Sequence, residues 1–225
     1  MKHVLAGAVL ALLAQPAAAA TVLHLSETGR VMVQPDQLTA ALSLDATAAT
    51  PVAAQAQVNG GIGKALDQAK AVAGITATTG FYRVWQQPKP ANEWHASQQI
   101  ELKQKGNGEA LLKLVATLQG QGLAMNQLGW QVSPEAARKA HDEAVHMALA
   151  ALRGRAEEAA AVLGLRFISF RQVDLDPGRA SPVPVPRAMA MMATAEAMPA
   201  PSAQADEVVI EATISADADL EPKAP

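Results

Sequence analysis

The sequence predicts an α+β fold in which antiparallel sheets are covered by helices. Some stretches, such as residues 38–46, alternate apolar and polar side chains with a period of two. Others, such as residues 134–163, repeat apolar side chains at spacings of three and four. The connections between strands are mostly of hairpin length, which favours antiparallel pairing. The predicted order is β-β-α-β-β-α-β-α-β-(loop)-β, in one domain over residues 21–218.

Residues 1–20 have the pattern of a secretory signal peptide. Lys2 and His3 precede an apolar run over residues 4–13, and alanines at 17–20 offer an A-x-A-type cleavage site. The run is too short to cross a bilayer, which needs about 20 apolar residues. The alternative is a buried N-terminal helix. The leader pattern leads us to expect an exported mature chain that begins near Ala20 or Thr21 and carries no transmembrane segment.

Composition narrows the compartment and the partners. The 225 residues include no cysteine, which excludes disulfides and cysteine-ligated metals. Export without cysteine is common in a bacterial periplasm, the expected location, and peripheral association with the outer membrane is compatible with it. The net charge is −3 with no basic stripe, so nucleic acid is not an expected partner. Aromatic residues make up only 3%, which argues against stacking platforms for bases or sugars.

The N-terminal third predicts strands and then a helix. Residues 21–33 form either a strand pair or one strand bent at residues 28–30, and Pro35-Asp36 is a turn signal. A half-buried strand follows at residues 38–46.

The first predicted helix covers residues 51–73. Thr50 is its N-cap, and Pro51 suits the first helical position. Gly60 and Gly61 lie inside it, and glycine disfavours a helix interior, so we expect a kink or a break there.

The middle third predicts a hairpin, a helix and a short strand. Residues 75–86, which are rich in threonine and aromatic residues, predict one strand, and residues 94–103, which alternate, predict the next, with a wide loop between them. Asn107 caps a helix that ends near Gln119, and a short strand follows at residues 128–132.

The longest predicted helix begins after its cap, Ser133, and ends at Leu163. One side carries a row of small residues, which lets a helix lie close against a sheet or another helix: Ala137, Ala140, Ala144, Ala148 and Ala151. The same row serves equally well as a contact between subunits, and a homo-oligomer is one expectation.

The C-terminal region predicts two strands separated by a low-complexity segment. Residues 167–175 are predicted to form a strand, and residues 177–206 are predicted to form a long loop rich in Pro, Ala and Met. Residues 208–216 alternate as the last strand, and residues 219–225 are expected to form a loose tail.

This order of motifs resembles the SIMPL-domain family, also called DUF541, of the bacterial periplasmic type. The resemblance rests on these residues: Glu27-Thr28-Gly29-Arg30-Val31, Pro35-Asp36, Asn59, Ala65-Leu66, Gly74-Ile75, Thr79 with Tyr82-Arg83-Val84, Arg155-Ala156 and Ala160 with Leu163-Gly164-Leu165. The resemblance implies an exported α+β protein, often self-associating, linked to envelope or oxidative stress and to envelope partners. It brings no catalytic residues.

The one unusual cluster of side chains lies in the low-complexity loop. The cluster consists of Met189, Met191, Met192 and Met198. Their thioethers could bind a soft metal such as Cu(I), or they could be oxidised reversibly to sulfoxide and so consume oxidant. The third alternative is that they belong to a flexible linker. No other metal ligand and no cofactor is assigned.

The sequence motifs for phosphate binding, for a histidine metal site and for a serine nucleophile are not matched. Residues 60–65 approach a phosphate loop, but Val58 and Ala65 stand where glycine and Ser or Thr are required. His141 and His146 fall about 140° apart around a helix, which is unfavourable for a shared metal. No nucleophile elbow is present. A non-enzymatic binding or assembly protein is the first hypothesis, a metal or oxidant handler the second, and an enzyme with a site formed only in three dimensions the third.

Overall fold

The computed structural model describes residues 21–88, 92–175, 183–184 and 206–223. The predicted signal peptide and almost all of the 177–206 loop lie outside these residues. The elements are β1 (Thr21–Val33), β2 (Gln37–Ala48), α1 (Pro51–Ala71), β3 (Ile75–Gln86), β4 (Trp94–Lys105), α2 (Glu109–Gly120), β5 (Ala124–Gln131), α3 (Pro134–Val162), β6 (Leu165–Leu175), β7 (Val183–Pro184) and β8 (Val208–Pro222).

The strands form two antiparallel sheets, so the predicted α+β class and element order are confirmed. The terminal sheet has the order β1-β8-β6, and the short strand β7, which falls in the predicted loop, also pairs with β8. The central sheet has the order β3-β4-β2-β5. In the terminal sheet the first and last long strands pair without a break, from Thr21 opposite Leu220 to Val33 opposite Val208.

Helix α3 lies across the terminal sheet and contacts β1, β6 and β8. Because β1 pairs with β8 continuously through residues 28–30, the alternative of a strand pair is wrong. Gly29 has a different role there. A Cβ on Gly29 would overlap the carbonyl oxygen of Ala144 and lie 2.9 Å from the backbone nitrogen of Ala148. The glycine is therefore what lets the helix backbone lie directly on the strand.

The buried face of α3 repeats every fourth residue: Ala140, Ala144, Ala148, Leu152, Ala156 and Ala160. Ala148 and Leu152 form a core cluster with Ile214 and Ala216 of β8. The small side chains thus serve contact with the protein's own sheet. Assignment of the alanine row to a subunit contact is wrong for the buried alanines, since they are already covered within one chain.

Helices α1 and α2 cover one face of the central sheet and form a separate core with it. The predicted cap is confirmed, since the Thr50 hydroxyl accepts a hydrogen bond from the Ala53 N–H at 3.3 Å. Helix α1 has no break at Gly60 and Gly61. A Cβ on Gly61 would collide with Cδ2 of Leu44, so this glycine allows the helix to approach β2.

The prediction of a loose tail over residues 219–225 is wrong as far as Pro222, where β8 ends. Leu220 is fully buried. On the opposite face, Asp219 accepts a hydrogen bond from Arg171 at 2.6 Å, and Glu221 accepts one from Arg166 at 2.8 Å. Asp219 and Glu221 are therefore outward positions of a strand that is still alternating.

None of the helices within the described ranges is long and apolar enough to cross a membrane.

Candidate functional site

The β3–β4 hairpin concentrates the aromatic residues of the chain. Four of the seven Phe, Trp and Tyr residues lie between positions 81 and 94: Phe81, Tyr82, Trp85 and Trp94. Three of them are open to solvent, with exposed fractions of 80% for Phe81, 40% for Tyr82 and 37% for Trp85. An exposed aromatic cluster of this kind is typical of a contact surface.

The strand geometry places part of this cluster on the face that points away from α1. The register of β3 against β4 shifts between Thr79 and Tyr82, as at a β-bulge, and then continues with Arg83 opposite Ser97 and Trp85 opposite His95. Successive side chains alternate between the two faces of a strand. The outward set is called the hairpin face below: Phe81, Arg83, Trp85, His95, Ser97 and Gln99.

Three side chains of the hairpin face form a stack. The rings of Trp85 and His95 are 5.2 Å apart at an interplanar angle of 12°. The Arg83 guanidinium lies 5.2 Å from the centre of the Trp85 ring, in cation–π geometry. Thr47 on β2 fixes the imidazole through a 3.1 Å hydrogen bond to Nδ1 of His95. The stack holds the cationic group in place before any ligand arrives.

The charge of Arg83 is available for an outside partner. No carboxylate of the described residues lies within salt-bridge distance of Arg83. The open face of the terminal sheet is different, because each of its arginines is paired with an acid of its own: Arg30 with Glu211, Arg166 with Glu221 and Arg171 with Asp219. Among the arginines on the described strands, Arg83 is therefore the one without a carboxylate partner.

A shallow concavity of about 390 Å³ adjoins the stack and is lined by Phe81, Arg83, Ser97 and Gln99. Its wall combines an aromatic ring, a cation, a hydroxyl and an amide. Such a surface can accept an apolar group beside an anionic one, because arginine donates paired N–H bonds to carboxylates.

The hairpin face also borders a free strand edge. β3 is the first strand of the central sheet, and within the described residues no strand pairs with its outer side. Unpaired backbone N–H and C=O groups along such an edge are a template for a further strand.

A family model described as a protein of unknown function (DUF541), SIMPL, matches residues 23–218. The chain belongs to the SIMPL family. The match takes in both sheets and the hairpin face. Curated proteins gave no match to the chain. Because the family description names no activity, the function of this SIMPL protein has to be argued from its surfaces.

A second concavity of the SIMPL protein, of about 640 Å³, lies between α1 and the turn after α2. Its lining mixes the polar side chains of Lys64, Asp67, Gln68 and Gln121 with Gly61 and Leu123. Oε1 of Gln68 is buried and has no hydrogen-bond partner within the described part of the chain. No aromatic side chain of the described residues lines this recess, whereas the hairpin face carries an exposed aromatic cluster, so the hairpin face is the stronger candidate.

The methionine cluster predicted as a soft-metal or oxidant site lies outside the described residues: Met189, Met191, Met192 and Met198. That hypothesis stays a prediction. Across residues 21–88, 92–175 and 206–223, no group of three or more His, Asp and Glu side chains is placed to hold a metal ion.

The histidines differ in their surroundings. His24 is exposed and its Nδ1 lies 2.7 Å from Asp217, as expected for a surface residue. His141 contacts Asp142 only at 3.9 Å. His95 is half-buried in the stack, and its Nε2 atom is buried with no hydrogen-bond partner among the described residues.

The overall composition could not predict the hairpin face, because a low aromatic content does not show where the few aromatic residues lie. The available signal was local: Phe81, Arg83 and Trp85 recur at every second position of one predicted strand. That spacing places three contact side chains on one face.

Proposed function

We propose that this SIMPL protein is an exported, non-enzymatic protein of the bacterial periplasm that acts by binding polypeptides, copies of itself included, during envelope or oxidative stress. The observation that carries the binding role is the hairpin face, where an exposed aromatic cluster and an unpaired arginine lie beside a free strand edge. Protein interfaces are enriched in aromatic side chains and arginine.

The arrangement supports contact because its side chains are anchored before binding. Arg83 is stacked on Trp85, and His95 is fixed by Thr47. Anchored side chains lose little conformational freedom on association, which favours affinity. Export is supported by the leader pattern over residues 1–20.

Site-specific photo-crosslinking in living cells tests the binding role. A photoreactive phenylalanine analogue replaces Phe81, which is 80% exposed, and in a matched control it replaces Val52, an α1 residue that is 72% exposed. We expect crosslinked products from position 81 and none from position 52. Mass spectrometry then identifies the captured chain as a second copy or as another protein.

The result that would overturn the proposal is equal capture, or no capture, at both positions.

Export is tested in parallel by fractionating cells that make the full chain. We expect the protein in the periplasmic fraction, shortened at its N-terminus by about the length of the leader. A full-length protein in the cytoplasm would contradict the export part of the proposal.

A further inference from the structure

We infer that the hairpin face binds an extended acidic segment of a partner protein, which adds to the free edge of β3 as a further strand. This inference rests on the proposed binding function and specifies its ligand. The residues that carry it are Phe81, Arg83 and Trp85, together with the open edge on which they lie.

The spacing of these side chains matches a strand rather than a small molecule. Residues two apart on a strand are about 6.7 Å apart, and any added strand has the same repeat. Alternate residues of an added strand would therefore lie beside Phe81, Arg83 and Trp85 in turn. The preferred segment has an acidic residue between two apolar ones, each separated from it by one residue.

The acidic position follows from the state of Arg83. Its guanidinium is stacked on Trp85, which leaves the N–H groups along its edge free to donate. Within the described residues it has no carboxylate partner. A carboxylate opposite it would gain a charge-assisted pair of hydrogen bonds in a geometry that is already set.

A different protein fits this site better than a second copy does. The acidic side chains on the described edge strands of this chain, Glu27 of β1 and Asp174 of β6, are already bonded to Arg155 and Gln172. A second copy could use them only by breaking those contacts. A free small anion would leave the strand edge and the exposed Phe81 uncovered.

Fluorescence anisotropy with synthetic peptides tests the inference on the protein recovered from the periplasm. The probe is a fluorescein-labelled peptide in which threonine alternates with leucine, glutamate and phenylalanine, in that order. A second peptide has lysine in place of glutamate. We expect the wild-type protein to bind the glutamate peptide at least about tenfold more tightly than the lysine peptide, as is typical of a charged hydrogen bond.

Charge reversal provides the decisive comparison. Arg83→Glu should lower affinity for the glutamate peptide by at least about tenfold and raise affinity for the lysine peptide above that of the wild-type protein. Arg153→Glu, at an exposed α3 residue paired with Glu157, is the matched control and should change neither. Arg83→Gln should lose glutamate binding without gaining lysine binding. Urea unfolding midpoints equal to wild type confirm that the variants are folded.

A further experiment with a backbone-modified peptide distinguishes addition of a strand from binding through side chains alone. The glutamate peptide is methylated at alternate backbone nitrogens on the side that would face β3, which removes its edge hydrogen bonds. We expect binding to be lost. Retained binding, or equal binding of both peptides to the wild-type protein, would overturn the inference. Crosslinking from position 81 with no peptide preference would leave the proposed function standing and refute only this ligand. Crosslinking only to a second copy of this chain would likewise leave the proposed function standing and refute the acidic partner segment.

Discussion

The carboxylate of Asp36 binds Ser133 at two points. Its Oδ1 accepts the Ser133 backbone N–H at 2.6 Å, and its Oδ2 accepts the Ser133 hydroxyl at 2.7 Å. The same hydroxyl oxygen accepts the Ala136 N–H at 3.2 Å and so caps α3. Asp36 lies between β1 and β2, and Ser133 lies between β5 and α3. One carboxylate therefore joins the two places where the chain passes between the terminal and central sheets.

Neighbouring groups strengthen this junction. The backbone carbonyl of Asp36 accepts the Gly106 N–H at 3.0 Å, which adds the turn after β4. Lys105 and Glu135 form an ion pair at 2.7 Å beside it. Ser133 is fully buried, so its hydrogen bonds have no ready replacement from water.

The first prediction is that Asp36→Asn and Ser133→Ala each lower the free energy of unfolding by about 1–3 kcal/mol, since each weakens the hydrogen bonding between a half-buried carboxylate and a buried serine. The double variant should lose less than the sum, because both changes remove the same contact. Urea denaturation of the four proteins measures the coupling. Asp45→Asn, at an exposed position of β2, is the control and should stay within about 0.5 kcal/mol of wild type. Strict additivity of the two changes would show that the contact does not form in solution.

The second prediction concerns pH. Burial alone would raise the pKa of Asp36, but hydrogen bonds from the Ser133 backbone and hydroxyl and from its own backbone N–H, with the charge of Lys105, outweigh burial and hold the pKa below its ordinary value. A carboxyl with a lowered folded pKa contributes stability that is complete above the unfolded pKa and is lost as the pH falls through the folded pKa. The stability difference between wild type and Asp36→Asn should therefore be constant from about pH 7 to about pH 5 and shrink below about pH 4.

Urea unfolding at stepped pH gives this difference directly. Glu135→Gln is a useful comparison, because the hydrogen bond from Lys105 also lowers the pKa of Glu135, but at an exposed position. Its effect should be smaller and should weaken in salt. A difference between wild type and Asp36→Asn that grew as the pH fell would contradict the assignment.

The third prediction is that Gly29→Ala lowers the free energy of unfolding by about 1–3 kcal/mol. The added methyl would meet backbone atoms of Ala144 and Ala148, which cannot move aside as a side chain can. The matched control is Gly60→Ala on α1, where a Cβ meets nothing within 4 Å. Alanine there should raise stability by up to about 1 kcal/mol, because it favours the helix. Thermal and urea unfolding measure both, and a neutral Gly29→Ala would show that α3 does not rest on β1.

Local signals in the sequence predicted much of this fold. Thr50 and Ser133 are confirmed as caps because capping depends on a few adjacent backbone groups. The alternation of β2 predicted a buried face for the same reason. Of the row of small residues on α3, Ala140, Ala144 and Ala148 are buried, whereas Ala151 is exposed. Each signal lies within one element, where the period of the sequence and the period of the structure coincide.

Features that depend on distant residues could not be predicted in this way. The sequence predicts a bend at Gly29 and not a close helix contact, because the residues that Gly29 meets on α3 lie more than a hundred positions away. Arg83 could be recognised as unpaired only once the positions of the described acidic residues were known. The register that brings Trp85 opposite His95 depends on a bulge, for which the sequence gives no clear local signal.

The last prediction concerns the end of β8, where the sequence favoured a loose tail. Leu220 is fully buried and lies opposite Thr21 in the register. Leu220→Ala should lower the free energy of unfolding by about 2–5 kcal/mol, as expected for truncation of a buried leucine. Deletion of residues 223–225, just beyond the strand, is the control and should have little effect. Hydrogen exchange gives a second measurement, because the amides of residues 217–221 should be protected about as strongly as those of residues 210–216. Rapid exchange of the amides of residues 217–221, together with an unchanged free energy of unfolding in Leu220→Ala, would show that β8 ends earlier and that a loose tail follows it.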